Sequence, residues 1–337
     1  MPRRAENPPN PWHGSHVELL GPPPDVELEV YEEECKSILS KNDSDDLPFR
    51  FSVNPYRGCF HGCAYCYARP THEYLDWGAG TDFDRRIVVK TNAAEVLRRQ
   101  LSSRAWTRET IVFSGVTDCY QPIEAAYGIT RACLEACAEF ANPVSVVTKG
   151  ALCERDVDVF ERLRARATFD IAISVPFADD ADGRAIEPFA APPSRRFETI
   201  RRLADRGLPV SVAIAPVIPG LNDHQIPEIL ARAADAGAWR ASLTLLRLPK
   251  TVLPVFESRL AEAFPDRTKK VWNALTEMRD GVIQESRTGR RMRGTGTRWR
   301  MIAQLFELHR KRLGLAASDS AVFVERSRPD RRQGELF

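Results

Sequence analysis

The chain contains no hydrophobic run long enough to cross a bilayer, which takes ~20 apolar residues. Its first residues, MPRRAENPPNPWHG, include a basic pair but no apolar stretch behind it, so neither a secretory nor a twin-arginine signal is expected. We therefore expect a cytoplasmic protein without membrane contact. Net charge is also low, at +2, and bulk charge does not indicate nucleic acid binding.

The 337 residues suffice for one large α/β domain or two smaller ones, and 43% hydrophobic and 28% charged residues are typical of globular proteins. Eight cysteines are present. Because disulfides are rare in a reducing compartment, a tight group of cysteines there indicates a metal site or catalysis.

Residues 1–48 are rich in proline and acidic groups, which predicts an irregular or partly disordered arm. From Phe49 onward, short apolar runs alternate with amphipathic stretches. The runs predict strands at Phe49–Val53, Ile87–Lys90, Thr110–Ser114, Val144–Thr148, Phe169–Val175, Val210–Ile214 and Ser242–Leu246. The amphipathic stretches predict helices at Ala93–Leu101, Ile129–Phe140, Val157–Ala165, Arg195–Asp205 and Gln225–Ala236.

Strands that alternate with helices predict βα units and a parallel sheet, enough here for a partial or full barrel. Beyond Pro249 only helical patterns follow, at Val271–Met278 and Trp299–Leu313, and then a polar tail. The predicted division is the arm over residues 1–48, a core over 49–264, a helical extension over 265–324 with a basic loop at 287–300, and a flexible basic tail over 325–337.

The strongest motif is NPYRGCFHGCAYCYARP, in which Cys59, Cys63 and Cys66 follow the first core strand in a loop with glycines at 58 and 62. Cubane iron–sulfur clusters are bound by cysteine thiolates, normally four. Three cysteines bind three irons and leave the fourth open to chelate a substrate or cofactor. The glycines let the backbone turn around the cluster. The motif therefore predicts a [4Fe–4S] cluster.

Two other metal sites remain open at this point. A Cys3His zinc site would use His61 or His72, although structural zinc usually takes two separated ligand pairs. A ferredoxin-like cluster would need Cys119 as its fourth ligand. The other cysteines fit an apolar core better than chemistry; they are Cys35, Cys133, Cys137 and Cys153.

The Cys-x3-Cys-x-Tyr-Cys pattern resembles the radical S-adenosylmethionine (SAM) superfamily signature. With it, the segments VTDCYQPIEAAYGITR, VVTKGALCERD, VAIAPVIPGLND and RMRGTGTRW resemble a branch called DNA-repair-photolyase-like, related to spore photoproduct lyase. The resemblance covers roughly residues 49–313. It implies a partial (β/α)6 TIM-type barrel with SAM at the carboxyl-terminal mouth of the strands.

The resemblance also implies an activity. SAM would chelate the open iron, and one electron would cleave it to methionine and a 5′-deoxyadenosyl radical that takes a hydrogen atom from the substrate. Such an enzyme needs a reducing partner of the flavodoxin or ferredoxin class. The alternatives are a nucleic-acid substrate, a protein or small-metabolite substrate, or an iron–sulfur or zinc module without SAM chemistry.

The resemblance assigns SAM contacts residue by residue. Thr117 and Asp118 fall where the superfamily contacts the methionyl amine, and Lys149 matches a lysine that pairs with the carboxylate. The remaining positions are Ser174 for the ribose, and Tyr65 with the segment from Ala215 to Ile218 for the adenine. A polar residue at a strand end is otherwise a turn or cap.

One departure concerns hydrogen return. In spore photoproduct lyase a hydrogen-donating cysteine aligns near Gly115, so that thiol is missing here. Cys119 stands where relatives of this branch have proline. It is either a substitute catalytic hydrogen donor or a small structural residue at a strand end.

Two segments suggest nucleic acid, or a protein that encircles DNA, as a partner. Residues from Arg287 to Arg300 contain six arginines without an acid, and they either contact phosphates and stack on a base or form a solvated loop. The last residues, from Gln333 to Phe337, resemble the Gln-x-x-Leu-Phe peptide that docks on the bacterial sliding clamp; a tail that folds back on the domain is the alternative.

Overall fold

The structure is a computed structural model that describes residues 27–44, 47, 49–284, 287 and 290–317. Its strands are β1 (Glu29–Glu33), β2 (Leu39–Lys41), β3 (Phe51–Val53), β4 (Tyr56–Arg57), β5 (Arg86–Lys90), β6 (Ile111–Phe113), β7 (Val144–Thr148), β8 (Phe169–Ser174), β9 (Val210–Val217), β10 (Arg240–Leu245) and β11 (Ala316–Ala317). Its helices are α1 (Thr81–Arg85), α2 (Ala93–Leu101), α3 (Glu124–Tyr127), α4 (Ile129–Glu139), α5 (Val157–Arg166), α6 (Asp180–Ile186), α7 (Pro193–Asp205), α8 (Ile226–Asp235), α9 (Leu253–Ala263), α10 (Pro265–Met278) and α11 (Gly296–Arg312).

An eight-stranded sheet organises the chain, in the order β11-β10-β9-β8-β7-β6-β3-β2. Six neighbouring strands, from β3 to β10 in this order, run parallel. Strand β2 adds an antiparallel edge and β11 a short parallel one. Helical crossovers join the parallel strands, as right-handed βα units require. The fold is the α/β, partial (β/α)6 barrel that the sequence predicts.

The two faces of this sheet differ in chemistry. Alternate strand residues such as Val146 and Ile171 pack with helix residues such as Leu134 and Phe160 in the main hydrophobic core. Since side chains alternate across a strand, the intervening residues face the inside of the barrel. They are mostly small or polar: Ser52, Ser145, Asp170, Ser211, Arg240 and Ser242.

A second sheet, in the order β1-β5-β4, lies outside the barrel sheet. The expectation that Ile87–Lys90 belongs with the other core strands is wrong, because β5 pairs in parallel with β1 and antiparallel with β4. The irregular arm expected over residues 1–48 likewise contains β1 and β2. Strand β1 is largely exposed and acidic, so it lacks an apolar pattern. Backbone pairing and the Arg86–Glu29 ion pair, at 3.4 Å, stabilise it.

Beyond the barrel, α9, α10 and α11 agree with the helical character predicted after Pro249, but β11 follows them and pairs with β10. Residues of α9 and α10 form a second hydrophobic cluster with Cys63, Tyr65 and Ile218. The helical extension therefore packs against the cysteine loop. No helix in the described ranges combines the length and apolarity that a membrane span requires.

The inward carboxyl of Asp170 yields a pH prediction. Burial raises the pKa of Asp170 to about 6, although a hydrogen bond from Ser145 and the positive charge of Arg240 both lower it. The folded state therefore binds more protons than the unfolded state between about pH 4 and 6, and stability falls as pH rises through that window. We expect Asp170→Asn to remove this loss and to raise the free energy of unfolding above pH 6 by at most about 3 kcal/mol.

Chemical denaturation of the reconstituted protein at several pH values, without oxygen, measures this effect. Asp205→Asn, at the exposed end of α7, controls for the substitution itself. A difference between Asp170→Asn and the parent that stayed constant from pH 4 to pH 8 would contradict the prediction.

Candidate active site at the cysteine loop

The cysteine loop follows β4 and makes two tight turns. The amide of Gly62 donates to the carbonyl of Cys59 at 3.2 Å, and the amide of Cys66 donates to that of Cys63 at the same distance. Gly58 has φ +77°, and a Cβ there would lie 2.9 Å from the carbonyl oxygens of Arg86 and Phe83. Glycine at this position is therefore required by close backbone approach.

The three thiols of this loop lie in a common, mostly buried place. Cys59 and Cys63 are each 7% exposed, and Cys66 is half-buried. Burial raises the pKa of Cys59 well above its usual range, and Asp118, Cys63 and Cys66 add to this effect. Thiolates are thus unfavourable here without a compensating positive charge, and iron supplies such a charge. The donor set fits an iron–sulfur cluster.

The histidines of the zinc alternative are directed elsewhere. His72 Nε2 donates to the carbonyl of Arg86 at 2.8 Å, and its ring packs on Phe83 and Trp77. Nδ1 of His61 lies 3.3 Å from Asp118 Oδ2. Within the described part of the chain, no three His, Cys, Asp or Glu side chains are close enough to bind a single metal ion. The geometry favours a cluster over zinc.

Cys119, the fourth ligand of the ferredoxin alternative, is fully buried in the main core. Burial raises the pKa of its thiol, and Asp118, Glu124 and Cys153 add to this effect. The thiol is thus enclosed by core residues and protein carboxylates. Its placement favours the structural reading of Cys119 over hydrogen donation.

The side chains of Thr117 and Asp118 form hydrogen bonds with other groups of the protein. Thr117 Oγ1 donates to the carbonyl of Gly58 at 2.5 Å, which fastens the loop to the end of β6. Asp118 accepts from Thr148 Oγ1 at 2.6 Å and from the Lys149 amide at 2.8 Å. Although burial opposes ionisation, His61 and these hydrogen bonds lower the pKa of Asp118 below its usual range. Both residues fix the loop against the strand ends.

Lys149, at the end of β7, belongs to a buried charge cluster. Its Nζ lies 3.9 Å from Glu187 Oε1 and 5.7 Å from the ring centre of Tyr65. Glu187 also accepts from Arg196 Nη2 at 2.5 Å and from the Tyr65 hydroxyl. Cys63 lies beside this cluster, since Glu187 and Lys149 both act on its pKa. Two cations share one carboxylate, which leaves one positive charge next to the cysteine loop.

The other assigned positions border the same cluster. Ser174 Oγ donates to the carbonyl of Ala215 at 3.1 Å, and the carbonyl of Ser174 accepts from Arg196 Nη1 at 2.9 Å. Ile218 packs in one hydrophobic cluster with Tyr65. The structure therefore brings these residues to one end of the barrel.

Sequence reasoning missed Glu187, Arg196 and Gln121. Gln121 Nε2 donates to the carbonyl of Gly58 at 3.1 Å, and its Oε1 accepts from the Phe60 amide at 2.8 Å. None of the three lies at a predicted strand end, where site residues were sought. A buried Glu or Arg in a loop or helix has no local signal, because its partner is distant in sequence.

The basic loop lies at the mouth of the barrel. Arg279, 4% exposed, donates to the carbonyls of Arg290, Arg291 and Arg293 at 2.8–2.9 Å, and to that of Leu246, just after β10, at 2.8 Å. The amide of Leu245 donates to the carbonyl of Met292. The loop is thus attached through its backbone carbonyls, while Arg290 pairs with Asp280 at 3.0 Å, Arg298 pairs with Glu277 at 2.8 Å, and Arg291 Nη2 donates to the hydroxyl of Ser44 at 2.5 Å.

Tyr67 connects this loop to the cysteines. Its hydroxyl donates to the carbonyl of Gly115 at 2.7 Å, and half of the residue is exposed. The pKa of Tyr67 is raised to about 12, first by burial of its hydroxyl and then by the nearby Cys66 thiol. The positive charges of Arg247 and Arg291 act in the opposite direction and lower this pKa. Two arginines therefore lie next to the cysteine loop at the open end of the barrel.

The family model of the radical SAM superfamily matches residues 53–233, which contain the cysteine loop and most of the barrel. The chain belongs to the radical SAM superfamily. It is therefore an enzyme, and the superfamily's cofactors, a [4Fe–4S] cluster and SAM, are the two expected from the sequence. Radical SAM enzymes also need a reductant.

Relatives and structures agree with this assignment. An uncharacterised protein of Mycobacterium tuberculosis is 39% identical over 235 residues, 69% of each chain. A radical SAM Nα-GlyT isomerase of Pseudomonas phage M6 is 28% identical over 234 residues, 68% of this chain and 46% of that protein. Spore photoproduct lyase complexed with dinucleoside spore photoproduct has a TM-score of 0.62 and 15% identity, covering 89% of this chain and 87% of the other; this likeness shows a common fold.

Proposed function

We propose that this radical SAM enzyme acts on a nucleic-acid substrate bound at the mouth of its barrel. Cys59, Cys63 and Cys66 would bind the cluster. When bound, the cofactors supply a 5′-deoxyadenosyl radical, formed with methionine by one-electron cleavage of SAM, which removes a hydrogen atom from the substrate. The observation that carries the choice of substrate is the basic loop held beside the cysteines by Arg279.

Phosphate-bearing ligands suit this loop. Arginine binds phosphate in a bidentate manner and stacks on bases, and Arg247 and Arg291 lie next to the half-exposed ring of Tyr67. A chain bound through its phosphates at this rim would present a base to the barrel interior. The residues that face inward there are mostly small or polar.

The relatives support a nucleoside substrate without specifying the reaction. The solved spore photoproduct lyase contains a dinucleoside spore photoproduct. Repair of that photoproduct itself is not proposed for this chain, because Gly115 stands where the family cysteine aligns. A Cβ at Gly115 would lie 3.2 Å from Ser52 Oγ, and Cys119 is buried in the core.

Among the residues assigned to SAM, Lys149 is the best supported, because its charge cluster has an excess of one cation beside Cys63. For Thr117, Asp118 and Ser174 we propose positioning roles, since each directs its side chain at a protein partner. Tyr65, Ala215 and Ile218 remain the proposed surroundings of the adenine.

Cleavage of SAM tests the substrate class. We expect the anaerobically reconstituted enzyme with dithionite to form 5′-deoxyadenosine, and DNA or RNA to increase its rate above that without substrate. Arg291→Gln should weaken nucleic-acid binding and lower its salt dependence, since one phosphate contact is lost. Arg298→Gln is the matched control, because Arg298, in the same segment, pairs with Glu277 at 2.8 Å on the helical extension, whereas Arg291 lies beside Tyr67 and the cysteine loop.

Equal rates with DNA, with RNA and without either would contradict a nucleic-acid substrate and favour the second candidate, a protein or small metabolite. The sliding-clamp peptide from Gln333 to Phe337 lies outside the described residues and stays a prediction from sequence. Binding of that tail peptide to purified clamp, lost on changing Leu336 and Phe337 to alanine, would support a DNA-associated role.

A further inference from the structure

A buried arginine next to the cysteine loop stacks on two aromatic rings. Arg85, at the end of α1, is 3% exposed. Its guanidinium lies 4.8 Å from the ring centre of Phe60, in the cysteine loop, and 4.5 Å from that of Phe189. Within the described ranges it makes no hydrogen bond or ion pair. Two aromatic faces therefore hold the cation, and Arg85 also lines an open pocket in which its N–H donors can bind water or a ligand.

Burial of this charge is only partly compensated within the protein. Burial lowers the pKa of Arg85, and only the nearby charge of Asp84 opposes this. Asp84 itself is paired with Arg69 at 2.9 Å. A guanidinium that lines a partly desolvated pocket attracts an anionic ligand more strongly than one in bulk water, because the charge is less screened there. Arg85 thus has the properties of an anion-binding group.

Arg85 borders a pocket that is open to the outside of the protein. The other charged residues that line the pocket form two ion pairs, Arg69 with Asp84 and Arg259 with Glu262 at 3.7 Å. Because these pairs are neutral, Arg85 gives the pocket a net charge of one positive unit. The remaining wall combines apolar groups and hydroxyls: Gly62, Ala64, Thr81, Phe189, Val255 and Ser258.

The pocket and the cysteines share one stretch of backbone. Gly62 and Ala64, which flank Cys63, form part of the pocket wall. Arg69 lines the same pocket and donates to the carbonyl of Cys63 through Nε and Nη2, at 3.1 and 2.9 Å. A partner seated in the pocket would therefore be separated from the cluster by this segment alone. The mouth of the barrel, by contrast, would be filled by SAM and substrate during turnover.

We propose that the Arg85 pocket is the docking site of the reducing partner, a small redox protein with an acidic surface, one of whose carboxylates enters the pocket and pairs with Arg85. Arginine and aromatic residues in desolvated pockets are the usual centres of binding energy in protein interfaces. Phe189 and Val255 supply apolar wall, and charge complementarity directs the approach. Electrons would then enter from the face opposite SAM.

The comparison of two reductants tests this site. Flavodoxin with its reductase is the protein donor, and dithionite is the small one, with 5′-deoxyadenosine measured in both cases. We expect Arg85→Gln to raise the KM for flavodoxin about tenfold or more and to remove its salt dependence. Dithionite-driven cleavage should stay as in the parent, because Arg85 contacts none of the cysteines.

A second variant retains Arg85. Ser258 is exposed on α9 and lines the pocket, so Ser258→Glu would place a carboxylate beside the guanidinium and repel an acidic donor. The KM for flavodoxin should rise in this variant as well. The matched control is Arg232→Gln. Arg232 also stacks on an aromatic ring, 4.2 Å from the centre of Phe197, but it lies away from the cysteine loop.

An unchanged KM for flavodoxin in Ser258→Glu and Arg85→Gln would overturn the docking site. An equal loss with both reductants would do so too, because it would show a structural role for Arg85. Neither outcome touches the proposed chemistry, which fails separately if the parent forms no 5′-deoxyadenosine with dithionite.

Discussion

Alanine in place of Cys59, Cys63 or Cys66 should abolish both the iron–sulfur cluster and the cleavage of SAM. We propose each thiol as one of three protein ligands, and two candidate substitutes are engaged elsewhere: Cys119 is buried in the core and His72 is bonded to the carbonyl of Arg86. Reconstituted parent should contain about four irons per chain and absorb through thiolate-to-iron charge transfer. Each variant should lose both signals together with 5′-deoxyadenosine formation.

Cys137→Ala is the matched control for these three variants. Cys137 is fully buried on α4, in the main core and away from the loop, so its removal leaves a small cavity and no missing ligand. It should retain iron and SAM cleavage. Cleavage of SAM by any one of the three loop variants at the rate of the parent would refute the cluster assignment.

The cysteine loop could be predicted because it is a local structure. The spacing of Cys59, Cys63 and Cys66 brings three thiols into one loop, and Gly58 and Gly62 allow the turns at positive φ. All of this lies within nine consecutive residues. The parallel sheet was predictable for a related reason: each βα unit is a short-range pattern, and the chirality of crossovers leaves few ways to arrange them.

Features that depend on distant partners could not be predicted. The apolar run at β5 is compatible with a place in the barrel sheet or in a second sheet. Its pairing with β1, which is distant in sequence, places it in the second sheet. Glu187 and Arg196 become site residues only because α6 and α7 bring them to Tyr65 and Lys149, in other parts of the chain. Arg85 likewise has no local signal in the sequence, because the rings it contacts, Phe60 and Phe189, lie in other segments of the chain.

Lys149→Ala should keep the cluster but weaken SAM binding about 10- to 100-fold, because a charged hydrogen bond to a carboxylate contributes about 1.5–3 kcal/mol. The structure gives this residue a source of affinity. Arg196 is bonded to Glu187 at 2.5 Å and makes two further bonds to carbonyls, whereas Lys149 approaches the same carboxylate only to 3.9 Å. Lys149 is therefore the cation that can turn to a ligand's carboxylate without leaving Glu187 unpaired.

Equilibrium binding of SAM to the reconstituted protein, with iron content measured alongside, tests the assignment without relying on turnover. The matched control is Lys90→Ala, since Lys90 is also half-buried but donates to the carbonyl of Asn54 at 3.0 Å, beside the second sheet. It should bind SAM like the parent. If Lys149→Ala also bound SAM with the parent's affinity, the carboxylate would have to pair elsewhere, and Arg196, the other cation on Glu187, would become the residue to replace.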